Sequence, residues 1–481
     1  MKLWMRIVFI FIGFFESLTI TGIIFGWPAL LHVFQIEGIY SHLCLEEDAQ
    51  NGNGTAQIAA NTSVTTVIRC AKQDNMYGLL YTVMIGLYGI PSALIGFSLD
   101  SLGLRFTRIC GSTMMMAGYA FVAYATQDTP WTVWPGMLAI SLGSNALRLC
   151  SLQCGNAWPE KRATIMFCYT SAHAASTLVF LMFQYANAAG VSLYYTGIFM
   201  TAFSGLSFFA SFILPKIKVE ENKASPPKDD PVKDIDLQIL PVSDTDKQVN
   251  SEPEKPKVIP LSESVKTMSF AFHNIWLLNI YMTRFYITSF NTWAWKTTSD
   301  PNQIAFYNSF TGLCLLISPF ISPVGGIITD YLLNKASKKS DPVERLASTF
   351  QAPIFILTTT TFLMFAVYVC KVSYSSNAVY ASIVLISIVR PVSVASLYSY
   401  VRIRFYPEHF NRLTGIAFTI ISIVSLLLYP QYLWLFYADE SYAWASYTFC
   451  FLILLTFSSP GHLLISRFPR RFAAQEIKNR K

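Results

Sequence analysis

Four ionisable side chains lie inside long apolar stretches of the sequence, where a charge is costly. They are Glu16, Arg148, Arg284 and Arg390. A charged side chain at the centre of a bilayer costs roughly 2.5–3.5 kcal/mol on insertion scales, so such residues pair with one another or face a water-filled cavity. Carboxylate and guanidinium groups at this depth are candidates for binding a polar or charged solute.

The composition of the chain is that of an integral membrane protein. It has 481 residues, of which 53% are hydrophobic and only 13% are charged, too few charged residues to cover a soluble protein of this size. Each of twelve apolar stretches has about 20 or more residues, enough to cross a bilayer as a helix. The sequence therefore predicts an all-α membrane protein with spans near 6–34, 75–98, 106–127, 131–154, 163–186, 190–214, 268–293, 303–330, 347–370, 377–401, 412–437 and 441–466.

The positions of the basic residues predict that both termini lie in the cytoplasm. With that orientation only Arg69, Lys72, Lys296 and Lys371 of the 35 Lys and Arg residues fall outside, and apart from the three intramembrane arginines all the others are cytoplasmic. Basic residues favour the cytoplasmic side of membrane proteins. The net charge of +7 is thus explained by topology and anionic lipid, and no nucleic-acid partner is expected.

A short motif occurs twice, 230 residues apart, and divides the chain into two similar halves. The first copy is Gly96-Phe-Ser-Leu-Asp100-Ser-Leu-Gly103-Leu-Arg105, and the second keeps Gly326 and Asp330. A Pro-Glu turn also occurs in both halves, at Pro159 and at Pro407. Such a parallel repeat of six spans is typical of alternating-access transporters. We therefore predict six-helix halves at 1–214 and 267–466, a disordered cytoplasmic linker at 215–266 and a basic tail at 467–481.

The repeated motif is expected to close the cytoplasmic side by charge pairing. Asp100 is expected to pair with Arg105 or Arg108 and to meet the other half of the protein. The second copy has no arginine in the corresponding position and is expected to be the weaker clamp. The expected gate consists of Gly96, Asp100, Gly103, Arg105, Arg108, Glu160, Arg162, Gly326, Asp330, Glu408 and Arg412.

The loop at 36–74 is predicted to be extracellular. It contains the glycosylation sequons at Asn53 and Asn61, which lie between Cys44 and Cys70. Glycosylation requires lumenal exposure, and the same compartment permits a disulfide. We therefore predict glycosylation at both asparagines, a Cys44–Cys70 disulfide and a plasma-membrane location, with the other seven cysteines serving as packing residues.

Several local motifs together resemble solute carrier family 43 of the major facilitator superfamily. They are Phe25-Gly26-Trp27-Pro28, the Cys44 and Cys70 loop, Gln73-Asp74, Arg390, Pro407-Glu408-His409-Phe410 and Leu413-Thr414-Gly415. The resemblance implies the major facilitator fold, with two six-helix pseudo-repeats around a central cavity. It further implies that spans one, four, seven and ten, which carry the four ionisable residues, surround that cavity. The family includes transporters of nucleobases and of large neutral amino acids.

The expected cavity residues differ in depth and therefore in how they are interpreted. Arg390 is nearest the middle of its span and is the strongest candidate for a substrate contact. Glu16 and Arg284 could instead form a buried pair with each other or with Arg390. Arg148 lies near the cytoplasmic end of its span, where it could extend to the interface. Trp27 and Asn291 could stack on or hydrogen-bond to a ligand, with core packing as the alternative.

These features predict facilitative transport of a small organic solute by alternating access, with purine nucleobases preferred. One alternative is uniport of a large neutral amino acid, and another is proton symport through Glu16. An alternative of a different class is a membrane receptor or regulator that does not transport. The sequence contains no nucleophile motif, phosphate-binding loop or metal-ligand spacing, so we expect neither an enzyme nor a cofactor or metal, and a monomer is expected to be functional.

Overall fold

A computed structural model of the chain describes residues 3–44, 71–213, 260–298, 300–428, 430–431, 441–465 and 467–480. Within these ranges the chain is α-helical with short 3-10 turns and contains no strand. The helices of the N-terminal half are α1 Leu3–Thr19, α2 Trp27–Ile36, α3 Ala71–Gly89, α4 Ser92–Ser101, α5 Leu104–Ala123, α6 Val133–Leu152, α7 Arg162–Ala175, α8 Leu178–Ala188 and α9 Leu193–Ile213.

The C-terminal half repeats this organisation and is followed by one more helix. Its helices are α10 Leu261–Val265, α11 Met268–Trp276, α12 Leu278–Thr297, α13 Pro301–Ile321, α14 Pro323–Ser337, α15 Pro342–Gln351, α16 Ile354–Val372, α17 Ser376–Arg404, α18 Phe410–Val424, α19 Ser441–Leu455, α20 Ser458–Leu464 and α21 Arg467–Arg480. The helix α10 lies within the segment predicted to be disordered. Its Ser264 hydroxyl is 2.8 Å from His409 Nδ1, which fixes it against the turn before α18.

Nine helical stretches in the described residues are long and apolar enough to cross a membrane. They correspond to all the predicted spans except the third, fourth and seventh, where α5, α6 and α12 lie instead. Each of these three helices has 20 residues, but buried polar residues such as Arg108, Arg148 and Asn279 lower their hydropathy. The membrane character is confirmed, whereas the number of crossings stays a prediction.

The surface of the helix bundle is apolar, as expected for a protein in contact with lipid. Phe11, Leu94, Tyr195 and Phe320 are each at least 66% exposed. Polar side chains such as Arg108 are buried instead. This arrangement is the reverse of that in a soluble protein and is stable only if hydrocarbon surrounds the bundle.

The first predicted span is not one continuous helix. A 3-10 turn at Ile23–Gly26 separates α1 from α2, and Pro28 lies in the first turn of α2. Proline has no N–H to donate, and the first turn of a helix is where this costs least. The interruption turns Phe25 toward the space between the two halves, where it lines the cavity described below.

The two halves contact each other through symmetry-related helices. The second span of the N-terminal half packs through α4 on α18, and its fifth span packs through α7 on α14 and α17. Since α14 and α18 belong to the second and fifth spans of the C-terminal half, each half uses the same pair of elements. These contacts lie on the side of the bundle where the first helix begins and the last helix ends. We call this side the terminal side.

Some sequence predictions fall on residues that the structure does not describe. Cys70, Asn53, Asn61 and most of the linker lie outside the described ranges, so the disulfide and glycosylation stay predictions. Asn291 belongs to α12, but its side chain is not among those described. Lys371 is buried in the described structure, where its ammonium group is 2.6 Å from Ser289 Oγ and faces the ring of Trp293.

Candidate functional site

A cavity of about 290 Å³ lies between the two halves. This volume is close to the lower limit for sites that bind small organic ligands. Residues from both halves form its wall, and three of them are arginines that the sequence singled out: Arg148, Arg284 and Arg390. Its described lining residues include no aspartate or glutamate.

Arg148 lies in the cavity wall and does not extend to the membrane interface. Its side chain is only 5% exposed. Nε donates to Asn145 Oδ1 at 3.1 Å, and Nη1 donates across to the Tyr398 hydroxyl of the other half at 2.7 Å. The guanidinium also lies 3.9 Å from the centre of the Phe418 ring. The expectation that Arg148 extends to the interface is therefore wrong, because neighbouring side chains in both halves hold it inside the bundle.

Arg284 and Arg390 project into the same cavity from the C-terminal half. Arg284 Nη1 donates to Ser425 Oγ at 2.6 Å. The Arg390 guanidinium faces the Phe25 ring at 5.1 Å, and within the described ranges it makes neither a hydrogen bond nor an ion pair. Its five N–H donors can therefore bind a ligand without first breaking a hydrogen bond or ion pair found in the described residues.

Aromatic side chains provide most of the remaining wall. Phe25, Tyr81, Tyr88 and Phe418 all line the cavity, and rings of this kind bind planar ligands by stacking. His173 joins them, with Nδ1 3.0 Å from the Thr21 hydroxyl and Nε2 3.4 Å from the Tyr88 hydroxyl. These residues were not among the predicted site residues, although Phe25 stands in a motif that the sequence had highlighted.

Trp27 supports this wall from behind. Its ring stacks on Tyr81 at 5.8 Å and lies edge-on to Phe34 and Tyr77, and the indole is only 6% exposed. Trp27 is not among the cavity residues. The structure therefore places it in the core, where it holds Tyr81 in position.

Glu16 is not in the cavity either. Its Oε1 accepts from Arg108 Nη2 at 2.6 Å and from the Ser207 hydroxyl at 2.8 Å. The side chains of Arg108 and Glu16 are 2% and 5% exposed. The pair therefore joins α1, α5 and α9 inside the N-terminal half. This result corrects the placement of Glu16 with the substrate and of Arg108 in the gate, because the two charges satisfy each other.

Removing one member of this pair is expected to destabilise the protein more than removing both. A single Glu16→Leu or Arg108→Leu substitution leaves an uncompensated buried charge, at a cost of about 3–5 kcal/mol. The double substitution leaves no charge and is expected to recover much of that loss. The measurement is the thermal unfolding midpoint of the detergent-solubilised protein. A double variant less stable than both single variants would contradict this role for the pair.

The first copy of the repeated motif binds the other half of the protein. Asp100 accepts from Asn411 Nδ2 at 2.7 Å and from Arg412 Nε at 2.9 Å. Arg105, which was expected to pair with Asp100, donates instead to the Ser211 and Phe212 carbonyl groups at the end of α9, where a cation is favoured by the helix dipole. Gly103 has a φ of 87°, a value that suits glycine in the turn between α4 and α5.

The second copy reaches the N-terminal half without an arginine. Asp330 accepts from the Ala163 and Thr164 backbone N–H groups at 3.1 and 2.9 Å and from the Thr164 hydroxyl at 2.7 Å. The N–H groups at the start of a helix have no partner within that helix and attract anions. Asp330 therefore caps α7 from across the interface.

The acidic residues of the two Pro-Glu turns are not at these contacts. Glu160 and Glu408 are exposed and form none of the hydrogen bonds or ion pairs found in the described ranges. The contacts come from residues just after each turn, because the turn directs the start of the following helix toward the opposite half. Arg162 lies near Asp330 without a direct bond, and its Nε is a buried donor with no partner in the described structure.

Since Asp330 makes three hydrogen bonds, we expect its removal to impair transport at least as much as removal of Asp100. Hydrogen bonds to a charged group contribute about 1.5–3 kcal/mol, whereas Arg412 is 37% exposed, so solvent screens its ion pair with Asp100. The comparison is initial uptake by Asp330→Ala and Asp100→Ala at equal surface expression. A near-normal Asp330→Ala variant would support the original expectation that the second copy is the weaker clamp.

Further hydrogen bonds close the terminal side below the cavity. Gln153 donates to Asn411, and Arg402 Nη2 donates to Asn156 Oδ1 at 2.8 Å. With Asp100 and Asp330, these contacts connect the halves from α4 to α14. The cavity-lining residues Gly78, Tyr81 and Thr82 come from the part of α3 farther from the terminal side. The arrangement is therefore closed on the terminal side, with the cavity farther along the helices, where Arg390 lies near the middle of α17.

Comparison with known proteins places this architecture among membrane transporters. No protein-family model matches the chain. The bovine equilibrative nucleobase transporter 1 is 22% identical over 448 residues, which cover 89% of each chain. The mouse large neutral amino acids transporter small subunit 3 is 29% identical over 195 residues, or 40% of this chain and 33% of that protein. The chain is thus similar to transporters of solute carrier family 43.

Solved structures show the same fold at lower sequence identity. A human organic anion transporter superposes with a TM-score of 0.54 at 15% identity, covering 95% of this chain and 99% of that one. The Escherichia coli fucose:proton symporter gives 0.50 at 11% identity, covering 96% and 99%. The chain has the major facilitator superfamily fold. The relatives named here are transporters and not enzymes.

Proposed function

We propose that the protein is a facilitative transporter of purine nucleobases. The observation that supports this function best is the cavity between the two halves, lined by three arginines and by aromatic rings and closed on the terminal side. A guanidinium can donate two parallel hydrogen bonds to a keto oxygen and an adjacent ring nitrogen, and aromatic side chains can stack on the planar ring. The similarity to a nucleobase transporter over most of the chain supports the same substrate class.

The transport mechanism that we propose is alternating access without proton coupling through Glu16. In this mechanism the protein lies in the plasma membrane with both termini in the cytoplasm, so the terminal side is the cytoplasmic side. The arrangement is then an outward-facing state, in which Asp100 and Asp330 hold the cytoplasmic side closed. Substrate enters between the two halves, and closure around it releases the cytoplasmic contacts. Glu16 contacts Arg108 and Ser207 and not the cavity, which argues against a role as the proton carrier for the substrate site.

A large neutral amino acid is the second candidate. Its carboxylate can form two hydrogen bonds to an arginine. The mouse protein that resembles part of this chain is named as a transporter of large neutral amino acids. Its ammonium group, however, needs an acceptor, and the described lining residues offer no carboxylate. A hydroxyl, a backbone carbonyl or an aromatic face would have to serve instead.

Counterflow in proteoliposomes distinguishes these functions. Liposomes loaded with adenine, guanine, hypoxanthine, leucine or phenylalanine are tested for exchange with the same labelled compound, with and without sodium or a proton gradient. We expect exchange of the purines without dependence on either gradient. Exchange of leucine and phenylalanine alone would favour the amino acid uniporter. Stimulation by an inward proton gradient would favour symport, and failure of every solute with well-folded protein would favour a receptor or regulator.

A further inference from the structure

The charges in the cavity are unbalanced. Arg148, Arg284 and Arg390 all line it, and none of the ion pairs within the described ranges includes any of them. The hydrogen-bond partners of Arg148 and Arg284 are the neutral groups of Asn145, Tyr398 and Ser425. Three cations with no carboxylate among the described lining residues repel one another and lack the compensation that buried charges normally have.

A ligand that brings negative charge relieves this imbalance. The interaction between charges is stronger in a partly dry cavity than in water, so an anion gains more from the three guanidinium groups than a neutral molecule of the same shape. The rings of Phe25, Tyr81, Tyr88 and Phe418 stack on a planar ligand whatever its charge. The arginines, and not the rings, therefore determine a preference for charge.

We propose that the cavity binds its ligand as an organic anion and that, among purines, it prefers oxopurines that lose a proton near neutral pH, such as xanthine, over neutral adenine. This proposal deepens the proposed function and rests on it. In the oxopurine anion the negative charge is spread over ring nitrogens and keto oxygens. These atoms lie along one edge of the ring, and a guanidinium can bind two neighbouring acceptors at once.

The cavity also contains titratable groups of the protein near the arginines. They are His173 from α7, Tyr81 and Tyr88 from α3 and, beside Arg148, Tyr398 from α17. The experiment therefore has to separate any effect of pH on the protein from the ionisation of xanthine. Adenine stays neutral between about pH 6 and pH 8, so its binding reports the effect of pH on the protein alone. The ratio of the two affinities isolates the charge of the ligand.

The first experiment measures binding of xanthine and adenine to the purified full-length protein at about pH 6 and pH 8. We expect the affinity for xanthine relative to adenine to rise by about tenfold as xanthine ionises, which corresponds to 1.4 kcal/mol. If both purines bind and the ratio does not rise, the anion preference is overturned and the proposed function stands. If neither purine binds to well-folded protein, the proposed function and this inference fail together.

The second experiment tests whether a cavity arginine provides the preference. Arg284→Gln removes a charge but can still hydrogen-bond to Ser425, whereas Arg284→Lys keeps the charge without the guanidinium fork. We expect the xanthine-to-adenine ratio at about pH 8 to fall by about three- to tenfold in Arg284→Gln and to be largely retained in Arg284→Lys. Equal ratios in the wild type and Arg284→Gln would overturn the charge argument, as would an equal fall in both variants.

Discussion

Replacing Arg390 by alanine is expected to lower uptake by about 10- to 150-fold, because a hydrogen bond to a charged group contributes about 1.5–3 kcal/mol. Its guanidinium lines the cavity, faces Phe25 and makes no hydrogen bond or ion pair in the described part of the chain. Its removal therefore takes away a potential ligand contact without breaking a hydrogen bond of the protein. The measurement is initial uptake of a labelled purine, normalised to surface expression.

A matched control separates this effect from a general loss of positive charge. Arg345 is exposed on α15 and is not among the residues that line the cavity, and Arg345→Ala is expected to transport normally. Arg390→Lys should retain partial uptake, because lysine keeps the charge but cannot form the planar two-pronged contact. Normal uptake by Arg390→Ala would end the assignment of this residue as a substrate contact.

The sequence predicts the fold because the relevant signals are local. Long apolar stretches define membrane helices whatever their partners, and the recurrence of Gly96 and Asp100 at Gly326 and Asp330 reveals the two halves. The same local signal identifies Arg284 and Arg390, because a charged side chain within an apolar stretch is costly in a membrane and therefore indicates a binding or pairing role. The structure then places both in the cavity wall.

The partners of the charged residues cannot be predicted in this way. Arg108 lies only a few positions after the start of α5, so the sequence suggests a residue at the membrane edge. Its actual partner, Glu16, is 92 positions away in the chain, and their meeting depends on how α1 and α5 pack. Asp330 presents a related difficulty, because two of its partners are backbone N–H groups, which every residue except proline has.

Gly326→Ala is expected to abolish most transport by preventing closure of the terminal side. A Cβ atom on Gly326 would lie 2.5 Å from Thr164 Cα and 2.8 Å from Thr164 N. Both are backbone atoms of the opposite half, so no side-chain rotation can make room, and the halves must move apart. Overpacking of this kind costs about 1–3 kcal/mol, and here the cost applies only to the state in which the terminal side is closed.

The expected signature is a loss of uptake without a comparable loss of binding. In intact cells, uptake by Gly326→Ala should fall by about 5- to 150-fold, the equivalent of that overpacking cost. In detergent both sides of the protein are accessible, so purine binding should change much less than uptake.

Gly312 offers a control in the same span, because a Cβ atom there would meet nothing within 4 Å, and Gly312→Ala should transport normally. Equal loss of uptake and binding in Gly326→Ala would indicate misfolding and not a blocked conformational change. Normal uptake would show instead that α14 and α7 need not approach this closely for transport, and the close contact at Gly326 would then have no part in the gate.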